Sequence, residues 1–284
     1  QGAFVAKISN SGNCIWALGS GRAFGLAIDS NDDVFITGNI AYGTTTFGNT
    51  TLSNSGNHDV FAAKISSSGS WVWANSISHQ GSSGYTDRGY CVAVDTFGDA
   101  YIVMDQDTSG SNLLTVGNST LPNSDGLIVA KISGTGTWQW ATNTYPTKNG
   151  IRQGQCIAVS PNGNVLFTGD LSSTFIFDGT SHFAGDVYVG MLSPNGTLLQ
   201  VITAGGPNAA ASSGYGITIG PTGDPMVAGF LGPTTAVSFG SIQLTGPSIF
   251  VAKLAADYDG DGYPDSVDDD IDGDAVLNQM DNCL

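Results

Sequence analysis

Short apolar runs, separated by turns rich in Gly, Asn, Asp and Ser, recur along this chain with a period of roughly 60 residues. One phrase makes the period visible. Phe-Val-Ala-Lys-Ile at 4–8 returns in closely similar form at 61–65, 128–132 and 250–254, and a weaker copy stands at 188–192. Repetition at a fixed spacing indicates one supersecondary element built several times, so the repeat fixes the architecture before any motif is weighed.

Each repeat predicts four short strands. An inner strand (25–29, 91–95, 156–160, 216–220) is followed by a tight turn and a second strand (34–38, 100–104, 165–169, 226–230). The Val-Ala-Lys-Ile strand is third, and a fourth strand surrounds Trp16, Trp73 and Trp140. Four antiparallel strands with glycine-rich turns are typical of a β-propeller blade, in which tryptophans pack as wedges between neighbouring blades.

We therefore predict an all-β chain with about four to five propeller blades in residues 1–254. The units lie near 1–58, 59–125, 126–185 and 186–248, with a partial unit at 249–254. A count of the strands gives four inner pairs, five third strands and four fourth strands, which leaves one strand over. Either an upstream segment supplies another inner pair, or the spare N-terminal hairpin completes a neighbouring molecule.

Composition supports this fold class and excludes some partners. All 24 acidic residues are Asp, and the 284 residues include no Glu and only eight Lys and Arg, so material for solvated helices is lacking. Residues 257–284 hold ten Asp and no base, whereas residues 1–256 hold 14 Asp against eight bases. The absence of a basic patch excludes nucleic acid, and without an apolar run of roughly 18–20 residues no membrane insertion is expected.

The repeat also resembles a known family. The phrase at 59–74, Asp-Val-Phe-Ala-Ala-Lys-Ile-Ser-Ser-Ser-Gly-Ser-Trp-Val-Trp-Ala, followed by Gly-Tyr-Cys-Val-Ala-Val-Asp at 89–95, is similar to the prokaryotic SBBP β-propeller repeat. The likeness covers nearly all of residues 1–254. It implies a secreted or surface-anchored protein without assigned catalysis. The fourth unit departs from it at Gln200 and Pro225, where Trp and a strand residue are expected.

An acidic ladder in residues 255–284 predicts calcium binding. Counting from Asp257, carboxylates fall at positions 1, 3, 5, 9 and 12 with Gly at 6. The pattern returns thirteen residues later, with Ala275 at position 6 and Asn278 at position 9. A hard cation takes six or more oxygens from a tight loop of this kind. The predicted Ca²⁺ ligands are Asp257, Asp259, Asp261, Tyr263 (carbonyl), Asp265, Asp268, Asp270, Asp272, Asp274, Val276 (carbonyl), Asn278 and Asp281.

The same segment resembles the thrombospondin type 3 repeat, whose Asp-x-Asp-x-Asp-Gly-x-x-Asp-x-x-Asp-Asn-Cys pattern matches residues 270–283 almost throughout. The resemblance implies an Asp-rich stalk that is loose without calcium and stiff with it. It also implies that Cys283 pairs with a cysteine elsewhere.

Other candidate sites are weaker. Three Asn-x-Ser/Thr sequons, at Asn49, Asn118 and Asn195, are candidate glycosylation sites. We expect a polar ligand site at one mouth of the propeller. It would be formed by Asp87, Arg88 and Arg152, which lie just before inner strands.

The remaining polar side chains are expected to be structural. The Lys of each Ala-Lys-Ile phrase is either a ring of basic ligands or an outward residue that covers apolar surface. Cys14 is expected to be a buried thiol, and Asp59 to form a turn before the third strand. Isolated histidines are expected to be solvated in loops; they are His58, His79 and His182.

These observations favour a non-enzymatic protein of the cell surface or extracellular space, with a propeller platform on a calcium-stiffened stalk. Its expected partners are surface or matrix components, glycans or further copies of itself. One alternative is a subunit of a filament or surface layer assembled by strand exchange. Another is a carbohydrate-binding or carbohydrate-active propeller, although a glycosidase needs two carboxylates of different acidity and most often uses Glu.

Overall fold

The structure is a computed structural model, and all the regular structure that it describes is β-strand. The described residues are 3–41, 43–54, 58–77, 87–106, 114–121, 126–146, 151–171, 175–177, 180–182, 187–204, 212–220, 224–232, 236–239 and 242–254. Across these ranges there is no helix long and apolar enough to cross a membrane. The prediction of an all-β chain is confirmed.

The strands of the described ranges are short, and most have four to eight residues. In chain order they are β1 (Ala3–Ile8), β2 (Cys14–Ser20), β3 (Arg22–Ile28), β4 (Val34–Ala41), β5 (Thr44–Phe47), β6 (Thr50–Ser53), β7 (His58–Ile65), β8 (Trp71–Ile77), β9 (Arg88–Val94), β10 (Ala100–Gln106), β11 (Leu114–Val116), β12 (Ser119–Leu121), β13 (Gly126–Ile132), β14 (Trp138–Pro146), β15 (Ile151–Val159), β16 (Val165–Leu171), β17 (Phe175–Phe177), β18 (Thr180–His182), β19 (Val187–Leu192), β20 (Leu198–Ala204), β21 (Ser213–Ile219), β22 (Pro225–Leu231), β23 (Ala236–Phe239), β24 (Ile242–Thr245) and β25 (Ser248–Lys253).

One antiparallel motif is built several times. Sheet 1 has the strand order β3-β4-β7-β8, and in sheet 2 the strands β9, β10, β13 and β14 are neighbours in that order. Sheet 3 has the order β15-β16-β19-β20, sheet 4 has β21-β22-β25, and β1 pairs with β2 in an N-terminal hairpin. The prediction of four-stranded antiparallel units is confirmed for sheets 1 and 3, and sheet 2 contains four strands in the same order.

The expected strand count is also confirmed within the described residues. Inner pairs are β3–β4, β9–β10, β15–β16 and β21–β22, and third strands are β1, β7, β13, β19 and β25. Fourth strands are β2, β8, β14 and β20. A small hairpin stands between the second and third strands of every sheet, namely β5–β6, β11–β12, β17–β18 and β23–β24.

The N-terminal hairpin has the register of a third and a fourth strand. In β1–β2, as in the corresponding pairs of sheets 1 and 2, the lysine lies opposite a tryptophan, and the register shifts by one before the next isoleucine. The pairs are Lys7 with Trp16, Lys64 with Trp73, and Lys131 with Trp140. The hairpin is therefore the outer half of a further module.

The chain divides into two compact units, Gln1–Gly154 and Gln155–Leu284. In the first unit the core lies between consecutive modules, because alternate residues of a strand point to opposite faces of its sheet. Ile36 and Ala63 of sheet 1 pack with Val5 of the hairpin, whereas Phe35 and Ala62 pack with sheet 2. In the second unit, residues of sheets 3 and 4 share one apolar cluster.

Tryptophans of the fourth strands hold the next module in place, as predicted. The Nε1 of Trp16 donates to the carbonyl oxygen of Ser67 at 3.2 Å, and that of Trp73 donates to the carbonyl oxygen of Gly134 at 3.0 Å. Both acceptors belong to the turn between third and fourth strands of the following sheet. Gly69 in the first turn has φ +86°, and a Cβ there would lie 2.6 Å from the Trp16 ring, so only glycine fits.

The inner strands approach one another closely, which explains their small residues. A Cβ added at Gly25 would lie 2.8 Å from the Cα of Cys91. Nearby, the Thr37 hydroxyl donates to the carbonyl oxygen of Phe61 at 2.8 Å and packs directly on Gly89. Gly25 and Cys91 occupy equivalent positions of two inner strands, and the close approach there leaves room only for small residues.

We expect Gly38→Ala to destabilise the protein strongly, because the new methyl group overlaps the backbone carbonyl of Arg22, which cannot turn away. The free energy of unfolding, measured by urea titration of the full chain, is expected to fall by about 2 kcal/mol or more. Gly19→Ala is the matched control, since no atom lies within 4 Å of a Cβ at that strand position, and it is expected to stay within about 0.5 kcal/mol of the parent. Equal losses in the two variants contradict the close packing of the inner strands.

Candidate functional site

Each third-strand lysine of sheets 1 and 2 is held by the turn between the two inner strands. The ammonium of Lys64 lies 3.1 Å from a carboxylate oxygen of Asp29 and 3.1 Å from one of Asp33. The other Asp29 oxygen accepts the backbone N–H groups of Asn31 and Asp33 at 2.9 and 3.0 Å. We call this arrangement the Lys–Asp clamp.

The clamp recurs in sheet 2 and, in reduced form, in sheet 4. Lys131 lies 3.6 Å from Asp95 and 3.2 Å from Asp99, and Asp95 accepts the N–H groups of Phe97 and Asp99. In sheet 4, Lys253 lies 2.6 Å from Asp224. The ammonium groups of Lys64 and Lys131 also lie 4.7 and 4.9 Å from the centres of the Phe35 and Tyr101 rings, a favourable cation–π contact.

Neither expectation for the lysines holds in sheets 1 and 2. Lys64 is buried and its ammonium is bound inside its own sheet, so it is neither an outward residue nor a free basic ligand. Burial by itself raises the pKa of Asp29, but the Lys64 ammonium and the turn N–H groups outweigh it, and the net pKa is lowered. Burial by itself lowers the pKa of Lys64, but both carboxylates outweigh it and the net pKa is raised. Asp29 and Lys64 are therefore both charged at neutral pH.

A second polar group lies at the opposite ends of the strands, where sheets 1 and 2 meet. Its residues lie at or near the ends of four strands, β3, β7, β9 and β10, and the backbone N–H of Asp87 donates to the carbonyl oxygen of His58 at 3.2 Å. We call it the strand-end cluster; it consists of Arg22, His58, Asp87, Arg88, Tyr90 and Asp105.

Asp105 is the best-connected member of this cluster. One carboxylate oxygen accepts the Arg88 backbone N–H at 2.7 Å, and the other accepts the Tyr90 hydroxyl at 2.8 Å. Burial, reinforced by the nearby Asp87 charge, raises the pKa of Asp105 to about 6. Burial and the charges of Arg22 and Arg88 lower the pKa of His58, which is therefore neutral at neutral pH. Both oxygens of Asp105 are used to hold strand ends, which is a structural rather than a reactive arrangement.

The predicted polar mouth is partly assembled in this cluster. Asp87 and Arg88 lie together at the start of β9, and Asp87 is buried. Arg152 lies in β15, and its side chain is outside the described residues. Sequence reasoning missed Arg22, His58, Tyr90 and Asp105 as members. A signal was available only for Asp105, a charged residue that directly follows the apolar second strand predicted at 100–104.

Three smaller predictions were wrong. His58 is the first residue of β7 and is buried, and Asp59 is buried in the same strand and forms no turn, because β7 begins before the repeated phrase. Cys14 is exposed at the start of β2, where the register shifts. His79 lies outside the described residues, and His182 belongs to β18, although its side chain is not described.

The three sequon asparagines are exposed on turns. Asn49 and Asn118 occupy equivalent turns of the β5–β6 and β11–β12 hairpins, each after a glycine of positive φ. Asn195 lies in the turn between β19 and β20, and its side-chain oxygen accepts the N–H of Thr197 at 3.4 Å. Exposure of this kind is what a glycan requires, and glycosylation stays a prediction.

The predicted calcium ligands, from Asp257 to Asp281, lie outside the described residues, as does Cys283. In the part of the chain that is described, His, Cys and Asp side chains form no group of three or more that would suit a metal ion. Carboxylate and carbonyl oxygens, which are the donors of the ladder, fit Ca²⁺ by their chemistry.

Comparison with known proteins does not show which family this chain belongs to. No family model matches the chain, and no curated protein matches it. A similar solved structure is a protein of unknown function from Bacteroides caccae, with a TM-score of 0.44 and 12% sequence identity. The match covers 90% of this chain and 73% of that one.

The raised pKa of Asp105 predicts a characteristic pH dependence of stability. The folded state keeps the Asp105 proton up to about pH 6, whereas an unfolded Asp releases it near pH 3.9. Stability therefore falls as pH rises from about 4 to 6, by on the order of 2 kcal/mol from this residue. In Asp105→Asn that loss disappears, which urea unfolding at several pH values measures as the difference between parent and variant.

The difference between the parent and Asp105→Asn profiles separates the contribution of Asp105 to the pH dependence from that of His58. The lowered pKa of His58 acts in the opposite direction, because stability is gained as pH rises through the unfolded value near 6.5. Asp32→Asn, at an exposed turn position, is the control and is expected to keep the slope of the parent. An Asp105→Asn profile parallel to that of the parent rules out the assigned titration.

Proposed function

We propose that this chain is a non-enzymatic structural or adhesion protein of the cell surface or extracellular space. In this proposal, propeller-type modules form a rigid platform and the acidic segment 257–284 forms a calcium-stiffened extension. The observation that carries the proposal is the Lys–Asp clamp, together with the strand-end cluster. Among the described residues, Lys64, Lys131 and their carboxylate partners hold strands together, and ten of the 24 Asp of the chain lie in the acidic segment.

The packing of the modules supports the propeller part of the proposal. In the first unit, β9 of sheet 2 lies against β3 and β4 of sheet 1, and in the second unit β21 of sheet 4 lies against β16 of sheet 3. The same close approach recurs in both places, since Gly89 packs on Thr37 and Gly214 packs on Thr168. Modules that bury their faces only against their neighbours are the organisation of propeller blades.

The acidic segment supplies the second part. Ten Asp within 28 residues repel one another strongly, so an ion bound by alternate carboxylates changes the segment from loose to stiff. A rigid platform on such an extension suits adhesion to surface or matrix components, including glycans, in a calcium-rich extracellular medium.

A second candidate function, subunit of a filament or surface layer, is favoured by the outer edge of sheet 4. Within the described residues β25 pairs with β22 alone, and Ile249 and Val251 are 84% and 73% exposed. Exposed apolar strands at a sheet edge are templates for strand addition. Light scattering decides between the two functions: concentration-dependent growth that Val251→Asp abolishes favours the filament, and a mass independent of concentration favours the adhesion protein.

We expect calcium to bind to the acidic segment with measurable heat. Calorimetric titration of the full chain is expected to show about two ions per chain, one for each loop pattern. A double substitution, Asp261→Asn with Asp274→Asn, removes a carboxylate from the centre of each loop and is expected to weaken binding at least about tenfold.

The control for this titration is Asp32→Asn, which removes an Asp of the same charge from an exposed turn of the first unit. It is expected to leave the titration unchanged. The calcium part of the proposal is contradicted if the titration shows no heat, or if Asp32→Asn weakens calcium binding as much as the double substitution does.

A further inference from the structure

The N-terminal hairpin lacks the strand that covers its counterparts. In sheet 1 the third strand β7 pairs with β4 on one side and β8 on the other, whereas β1 pairs with β2 alone among the described residues. The effect on equivalent side chains is large. Phe4 of β1 is 75% exposed, whereas Phe61 of β7 is 0% exposed. The edge of β1 that a second strand normally occupies is thus presented to solvent.

The neighbouring inner strand β3 shows the same deficit on its face. Leu26 in β3 and Val92 in β9 are equivalent by register, since they lie opposite Ile36 and Ile102 of their second strands. Val92 is 4% exposed because sheet 1 covers it, whereas Leu26 is 52% exposed. Ile28, on the same face of β3, is also exposed. This face of β3 has the apolar composition of an interface between modules, but among the described residues no module covers it.

A cavity of about 270 Å³ lies between the two exposed elements. Its walls are mainly apolar, and one end is polar; they include Ile8, Trp16, Leu26 and Ile28, with Lys7 and Asp32 at the polar end. A cavity of this size between an open strand edge and an open sheet face accommodates side chains of an added strand.

The lysine of the hairpin has an incomplete clamp. Lys7 lies 3.6 Å from Asp32, and the two side chains are 33% and 74% exposed, whereas Lys64 is held by two carboxylates at 3.1 Å. Asp32 belongs to the turn of the following module and has φ +62°, at the position where the equivalent turn of sheet 2 has Gly98. Lys7 is therefore paired with an exposed carboxylate of the following module. The positions of the two carboxylates that would complete its clamp are open among the described residues.

We propose that the free edge of β1 and the exposed face of β3 form a docking surface for a β-hairpin of this same repeat type. The partner is defined by its chemistry: an apolar inner strand, an Asp-x-x-x-Asp turn, and a second strand. None of the four described inner pairs is available for this, because each already pairs with its own third strand.

Three features of the complete sheets give the expected geometry. The second strand of the partner adds to β1 in the register that β4 has on β7, so that its main chain satisfies the open edge. Its inner strand covers Leu26 and Ile28, as sheet 1 covers Val92. The two carboxylates of its turn take the ammonium of Lys7 in place of Asp32, which completes the clamp. The docking does not involve the acidic segment or its calcium.

The test uses a synthetic peptide of residues 87–106, with Cys91→Ser, as the probe hairpin and the full chain as receptor, in the presence of a chelator. We expect saturable binding by calorimetry, together with slower amide hydrogen exchange in β1. Ile8→Asp is expected to weaken binding at least about tenfold, since it puts an unpaired charge at the edge. A peptide with Asp95→Asn and Asp99→Asn is expected to bind the parent more weakly than the unsubstituted peptide does, because it cannot form the clamp. It is expected to bind Lys7→Met as weakly as it binds the parent, because the clamp is absent in both complexes.

The controls separate this surface from others on the chain. Ile249→Asp, at the edge of sheet 4, is expected to bind the peptide as the parent does, and circular dichroism checks that each variant is folded. Absence of protection in β1, or binding unaffected by both Ile8→Asp and Lys7→Met, overturns the proposal. So does self-association of the chain that Ile8→Asp abolishes, because the surface is then occupied by a second copy.

Discussion

The clamp between a third-strand lysine and two turn carboxylates is the interaction on which each complete module depends. It ties the turn joining the first two strands to the third strand, so one charged group fixes three strands of a sheet. Taking these charges out of water is costly, and the cost is offset only when every partner is in place. The turn N–H groups, the second carboxylate and the aromatic ring beneath the ammonium supply those partners. A slip of one residue moves the lysine to the other face and loses them all, so the clamp also specifies register.

Packing between modules depends on a different pair of devices. The fourth-strand tryptophan of one module caps a turn of the next, and the inner strands meet through Gly and Cys residues without side chains large enough to separate them. Both devices need a glycine at a fixed place, Gly69 or Gly136 under a tryptophan and Gly89 under a threonine. Modules are therefore joined by close backbone approach, and apolar area alone does not set their spacing.

The sequence predicts the strands and their number well, because the period of two in each strand and the glycine-rich turns between strands are local signals. It also predicts the tryptophan wedges, since Trp16, Trp73 and Trp140 recur at the same place in the repeat. It does not predict the fate of Lys64, because Asp29 and Asp33 are more than 30 positions away and the second strand brings them near. His58 and Asp59 failed for a related reason: their strand extends beyond the repeated phrase, and the adjoining sheet covers the extension. The strand-end cluster is likewise assembled from ends of several strands, none of which carries a recognisable motif.

The tryptophan caps have a consequence for how such a chain grows. Each cap reaches from one module into the next, and the two junctions described above, Trp16 to Ser67 and Trp73 to Gly134, use the same pair of groups at equivalent positions of the repeat. Gene duplication or unequal crossing-over can add or remove a whole period. A tryptophan donor then meets the same kind of turn carbonyl as before, so no new interface is created. A breakpoint inside a period separates a tryptophan from the turn that it contacts, and it leaves two incomplete junctions. Selection for folding alone is then enough to keep the length of such arrays an integral number of periods.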